Sequence, residues 1–129
     1  MRSFYTLGKN ERLKSRKQIG LLFEKGRKFR SGNLRVHYLQ SGSETKVGEL
    51  QVGVTVSTKN FPHAHDRNRV KRMMRESWRL NKNQLREKMS ARGQLLVFLI
   101  YSSSEMPAFP QVDGEVKAVL KKLSETIDQ

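Results

Sequence analysis

No cysteine occurs among the 129 residues, so disulfide staples and thiolate metal sites are both excluded and the fold has to rest on packing alone. Acidic residues are scarce beside basic ones, 12 against 26, which leaves a formal charge of +14. An imbalance of that size repels itself unless a polyanion accompanies the folded chain, and nucleic acid is the first such partner to consider. Long hydrophobic runs are missing as well. Nothing approaches the roughly 20 apolar residues of a membrane span, and the opening MRSFYTLGKNERLK has no apolar run of signal length. The basic residues run the whole length of the chain instead of forming a juxtamembrane block, which argues against a membrane surface as the anion. A soluble, unprocessed, cytoplasmic protein is expected. Hydrophobic residues make up 36% and aromatics 8%, enough for one small core, so residues 1–129 are read as a single domain.

The chain is organised by its apolar spacing. Ser15 with Gln18 fits a capping box, Ile19, Leu22 and Phe23 share a helical face, and Gly26 is a natural stop, which places a helix over about 15–25. NLRVHYL (33–39) and ELQVGVTVS (49–57) alternate with period two and are expected to pair as an antiparallel hairpin across the turn-rich SGSETKVG. Beyond Pro62 a helical pattern runs from about Asp66 toward Met89 with a break near 81–83. QLLVFLIY (94–101) is apolar without alternation, as in a strand near the middle of a sheet and covered on both faces. After the loop 102–111, Asp113 is expected to cap a last helix carrying Val116, Val119, Leu120, Leu123 and Ile127 at helical spacing. The class implied is α+β, with helices packed on a small sheet.

DRNRVKRMMRESWR (66–79) carries six cations in fourteen residues. On a helix, Lys71, Arg72, Arg75, Arg79, Lys82 and Arg86 fall within an arc of about 100° together with Asn68, while Val70, Met73, Met74, Ser77, Leu80 and Leu85 lie opposite and Trp78 stands at the edge. An ordinary solvated face mixes signs. Here Lys71, Arg75 and Arg79 form a same-sign ladder at i, i+4, whose repulsion of roughly 0.2–0.5 kcal/mol per pair points to recovery from a bound anion. Arginine predominates within 67–79, and its planar fork suits phosphate oxygens.

At these residues the chain resembles the RNR signature of the bacterial ribonuclease P protein family: Arg67, Asn68, Lys71, Arg72 and Arg75 match at fixed spacing. The lead-in VTVSTKNFPHAHDRN and the stretch RLKSRKQIGLLFEKG (12–26) extend the likeness over most of the chain. The resemblance implies the order α-β-β-β-α-β-α, a small mostly antiparallel sheet and a left-handed βαβ crossover. A third early strand is then required, near 57–61 or just before Leu34. It also implies a protein subunit that assists RNA-catalysed, Mg²⁺-dependent removal of the 5′ leader of precursor tRNA. The chain itself would bind no cofactor, supply no catalytic residue, and act as a monomer in a 1:1 complex with the catalytic RNA. Carried onto this chain, the catalytic RNA would meet Arg67, Asn68, Arg69, Lys71, Arg72, Arg75 and Arg79, and the leader would lie in a cleft of Ile19, Phe23, Arg35, His37 and Lys59. Ile19 and His37 stand where the family often has Phe and Tyr, which implies weaker stacking and an altered base preference.

Other readings compete with these. The HxHD of His63, His65 and Asp66 invites a metal, but it lies in an expected loop with no further ligand nearby in sequence. A self-contained nuclease would need His37 and His63 or His65 to face one phosphate. A different small basic RNA-binding protein, such as a ribosomal one, could use the same helix. Trp78 and the methionines read as core, Phe23 as core or cleft wall, and Lys25, Arg27, Lys28 and Arg30 as an extended RNA footprint or a solvated loop.

Overall fold

The computed structural model describes residues 11–41, 49–89 and 93–127. Within them the order is α1 (Arg16–Lys25), β1 (Arg27–Ser31), β2 (Leu34–Ser41), β3 (Leu50–Val56), α2 (Ala64–Asn81), α3 (Asn83–Met89), β4 (Gln94–Tyr101) and α4 (Phe109–Ile127). This is the expected α+β class and element order, with the long second helix broken at Lys82. The turn-rich residues 42–48 lie outside the described ones.

The sheet runs β1-β2-β4-β3. β2 pairs antiparallel with both β1 and β4, whereas β3 lies parallel to β4 after the crossover through α2 and α3. The expected hairpin between 33–39 and 49–57 is therefore incorrect: β4 separates the two strands. The reason is hydrophobic. QLLVFLIY is the most apolar strand and loses most by sitting at an edge, so it takes the interior position between them. The third early strand is the one just before Leu34, formed by RKFRS, not the alternative near 57–61. Its turn to β2 holds only Gly32 and Asn33, and Gly32 has φ 58°, a left-handed value that glycine adopts without strain.

Alternation along the strands divides the side chains between two faces. On one face Leu34 and Val36 of β2, Leu50, Val52 and Val56 of β3, and Leu95, Val97, Leu99 and Tyr101 of β4 meet α2, α3 and α4 in the main core. Val70, Met74 and Trp78 come from α2, so Trp78 and Met74 are core as expected, while Met73 packs at its margin. The last helix starts at Phe109, four residues before the expected cap. Pro110 fits its first turn, where no N–H is needed. Asp113 is instead turned toward α2, where its Oδ1 accepts from Ser77 Oγ at 2.7 Å and from Asn81 Nδ2 at 3.0 Å. That pairing explains how the hydroxyl of Ser77 is tolerated at full burial.

Among the described residues, the opposite face is covered only at one end. α1, capped by Ser15 Oγ accepting from the Gln18 N–H, seats Leu22 against Leu96 and Leu13, with Ile19, Leu39 and Phe98 around them. Beyond α1 no described element covers the sheet, so among the described residues β4 is not covered on both faces: Phe98 and Ile100 remain partly exposed.

Candidate nucleic-acid interface

Two surfaces can meet RNA, and the fold joins them along the β3 edge. The first is the outward side of α2. Asn68, Arg69, Arg72 and Arg75 are exposed, Lys71 is half-buried, and the buried side of the helix faces the core. Arg67 serves the fold itself, since its Nη1 donates to the carbonyls of Phe61 and Pro62 at 2.9 and 2.8 Å, clamping the lead-in against the helix start. Arg79 is held by Glu76, with Nε donating to Oε2 at 3.1 Å, and this hydrogen bond raises its pKa. Lys82, placed on the outer arc by the helical wheel, is fully buried and paired with Glu11. The wheel fails there because the helix ends at Asn81 and restarts at Asn83, which resets the phase. Leu80, expected on the buried side, is 41% exposed because it stands about 100° from the meridian of Met74 and Ser77.

Arg12 is a functional candidate that sequence reasoning passed over. The segment before α1 runs beside β3, with Arg12 bridged to Val52 and the Leu13 N–H donating to Val52 O at 2.9 Å. This brings Arg12 beside Arg75, whose pKa is lowered by burial and then by the Arg12 charge. Two neighbouring guanidinium charges repel each other. An anion between them would remove that repulsion.

The second surface is the open sheet face. Phe23, 43% exposed, leans from α1 over the sheet, with its ring 4.5 Å from that of His37 and 5.3 Å from that of Phe98. Phe23 is thus cleft wall as much as core, and it meets His37 as the resemblance implied. Ile19 is half-buried in the cluster beneath, and Arg35 is exposed one row further along β2. Lys59 lies in the turn after β3, where its N–H donates to Ser57 Oγ at 3.1 Å. Phe98, the floor of this face, was concealed in an unbroken apolar run. Its signal is positional: Gly53 is its register partner on β3, and a Cβ there would stand 2.6 Å from the ring. The absent side chain of Gly53 is filled by this aromatic and does not leave an empty platform.

His37 titrates below its usual range because of burial first, then the charges of Lys28 and Arg35. At neutral pH it therefore offers a flat, uncharged ring for stacking. His63 is the residue before α2, and His65 and Asp66 fall in its first turn, so HxHD opens a helix instead of lying in a loop. Among the described residues no group of three or more His, Cys, Asp or Glu could hold a metal ion, and no helix is long and apolar enough to cross a membrane.

Flat aromatic rings flanked by cations suit unpaired bases and their backbone, and an arginine-rich helix side suits the phosphates of structured RNA. The Ribonuclease P family model matches residues 7–124. The ribonuclease P protein component of Porphyromonas gingivalis is 36% identical over 122 residues, covering 93% of this chain and 88% of that protein. The component from Chlorobium phaeobacteroides is 33% identical over 128 residues, covering 92% and 88%. Among solved structures, the RNase P protein of Thermotoga maritima superposes with a TM-score of 0.66 at 25% identity over 87% of this chain and 96% of that one. That of Staphylococcus aureus gives 0.68 at 20% identity over 89% and 96%.

Proposed function

Because the chain belongs to the ribonuclease P protein family and is a subunit of that endoribonuclease holoenzyme, we propose that it uses its two surfaces on two RNAs at once. The outward cations of α2, chiefly Arg69, Arg72 and Arg75 with Asn68 and Lys71, lie on the catalytic RNA. The ring group of Phe23, His37 and Phe98 receives the single-stranded 5′ leader of precursor tRNA, with Ile19 behind it and Arg35 and Lys59 at its margins. Hydrolysis falls to Mg²⁺ held by the RNA, which activates water and stabilises the leaving oxygen. The protein supplies no group to the chemistry. It lowers phosphate repulsion within the folded RNA and adds binding energy for the leader, as a monomer in a 1:1 cytoplasmic complex. The ribosomal alternative gives way to the family match over residues 7–124.

The observation that carries this reading is the ring group itself: three aromatic rings of α1, β2 and β4 meet on an open sheet face next to cations. Reconstitution tests it. At low Mg²⁺, added protein is expected to restore cleavage of precursor tRNA by a bacterial ribonuclease P RNA, and Phe23→Ala is expected to weaken binding of leader-bearing substrate far more than of mature tRNA. Absence of rescue, or equal loss with both substrates, would refute it.

A further inference from the structure

The β1–β2 hairpin extends the open face with a cationic cluster in which Lys28 and Arg30, used by neither surface above, join Arg35 and His37. Its register sets Arg30 opposite Arg35 and Lys28 opposite His37. All four belong to the open face, since Arg35 and His37 in turn stand opposite Ile100 and Phe98 of β4. Like charges directly across an antiparallel pair destabilise a sheet. A guarded sheet edge would explain cations on β1, but Arg35 lies on β2, which is paired on both sides. Among the described residues, no carboxylate forms an ion pair with Lys28, Arg30 or Arg35. The four residues line a shallow cavity of about 240 Å³ with Phe29 and Val36.

The hairpin is also held rigidly. Asn33 N–H donates to Glu115 Oε1 at 3.0 Å, Ser31 Oγ donates to the Glu115 carbonyl at 3.4 Å, and Ser102 N–H donates to Asn33 O at 2.8 Å. The cations are therefore presented in a fixed frame. Residues two apart on a strand lie about 6.8 Å apart, comparable with the phosphate step of an extended RNA backbone. We propose that Lys28, Arg30 and Arg35 form a second station on the leader path, binding about two successive phosphates of the single-stranded RNA as it leaves the rings of Phe23, His37 and Phe98 toward the Gly32 turn. The assignment rests on the leader reading and extends it to a defined length of RNA.

The test uses the reconstituted holoenzyme and precursor tRNAs whose leaders are shortened one nucleotide at a time. Affinity and its salt dependence are measured for the unaltered protein and for Lys28→Gln combined with Arg30→Gln. The unaltered protein is expected to gain affinity with leader length up to a plateau. In the double variant the plateau comes about two nucleotides earlier, with roughly tenfold weaker binding of the longest leaders and a salt slope lower by about 1.4. Substrates with the shortest leaders are bound as before. Lys28→Arg with Arg30→Lys keeps the slope, which excludes a folding fault as the cause. Equal loss at every leader length, or no loss at any, overturns the second station while leaving the ring cleft standing. An unaltered protein indifferent to leader length would overturn the leader reading itself.

Discussion

Gly53 offers a sharp test of how the open face is built. A Cβ there would lie 2.6 and 2.7 Å from Cδ1 and Cε1 of Phe98 and 3.3 Å from the Leu13 carbonyl oxygen, so in Gly53→Ala the ring must move. Displacing it about 30° from its rotamer costs roughly 0.5–1.5 kcal/mol, and overpacking can raise the cost to about 1–3 kcal/mol. Restricting the unfolded chain returns about 0.4–1 kcal/mol. Phe98 is only half-buried and has solvent to swing into, which holds the clash to about 2 kcal/mol, short of the top of that range. The net expectation is a loss of about 1 kcal/mol, or roughly 3–5 °C in melting temperature for a domain of this size. Calorimetry on Gly53→Ala, Phe98→Leu and the double variant separates the causes. If the ring is the obstacle, the double variant melts no lower than Phe98→Leu alone. With catalytic RNA present, Gly53→Ala is also expected to blunt the preference for leader-bearing substrate. A variant as stable as the parent, or one whose loss adds fully to that of Phe98→Leu, would refute the reasoning.

Other expectations concern charge. Glu11→Gln takes a carboxylate from the fully buried Lys82 ammonium and is expected to lower stability by about 3 kcal/mol in urea titration, with Lys82→Met in the same chain restoring much of it; a change under about 0.5 kcal/mol would contradict the pairing. His37 titrates below 6.5 in the folded protein, so as pH falls from 6.5 through that lower value the unfolded chain binds the extra proton and stability declines. Thermal melts of His37→Phe should accordingly show a flatter decline between pH 6.5 and 5 than the parent, and an identical decline would dismiss the effect. Arg72→Ala and Arg75→Ala should each reduce the salt slope of binding to the catalytic RNA by about one. Arg79→Ala should reduce it less, because Glu76 already holds that side chain, and an order reversed from this would displace the assigned face.

Much of the molecule was readable where one local signal had no rival. The Ser15 cap, the break near Lys82, the mid-sheet position of strand 94–101 and the apolar stripe of the last helix all appear where spacing placed them. β1 is legible only through the resemblance, and there as one of two alternatives, because RKFRS offers one apolar residue to the core, Phe29. The Gly32-Asn33 pair before Leu34 was its available signal, since a two-residue Gly-Asn turn joins hairpin strands. The mistaken hairpin came from assuming that strands adjacent in sequence pair, although an apolar β4 needs a neighbour on each side. At the candidate site, residue type indicated which side chains are cationic but not which are already occupied. Only the folded backbone shows that Arg67 reaches back five and six residues to clamp a loop and that Lys82 meets a residue 71 positions earlier.

The charged edge of β1 has a consequence for the protein before any RNA arrives. Arg27, Lys28 and Arg30 occupy three of the five positions of a strand border that is unpaired among the described residues. A second molecule seeking to extend the sheet there must press three cations against three more, without salt bridges to offset them. The border that would otherwise nucleate intermolecular aggregation is thereby kept soluble by self-repulsion, and dense anions that neutralise it, such as excess free RNA or polyphosphate, would lift that protection.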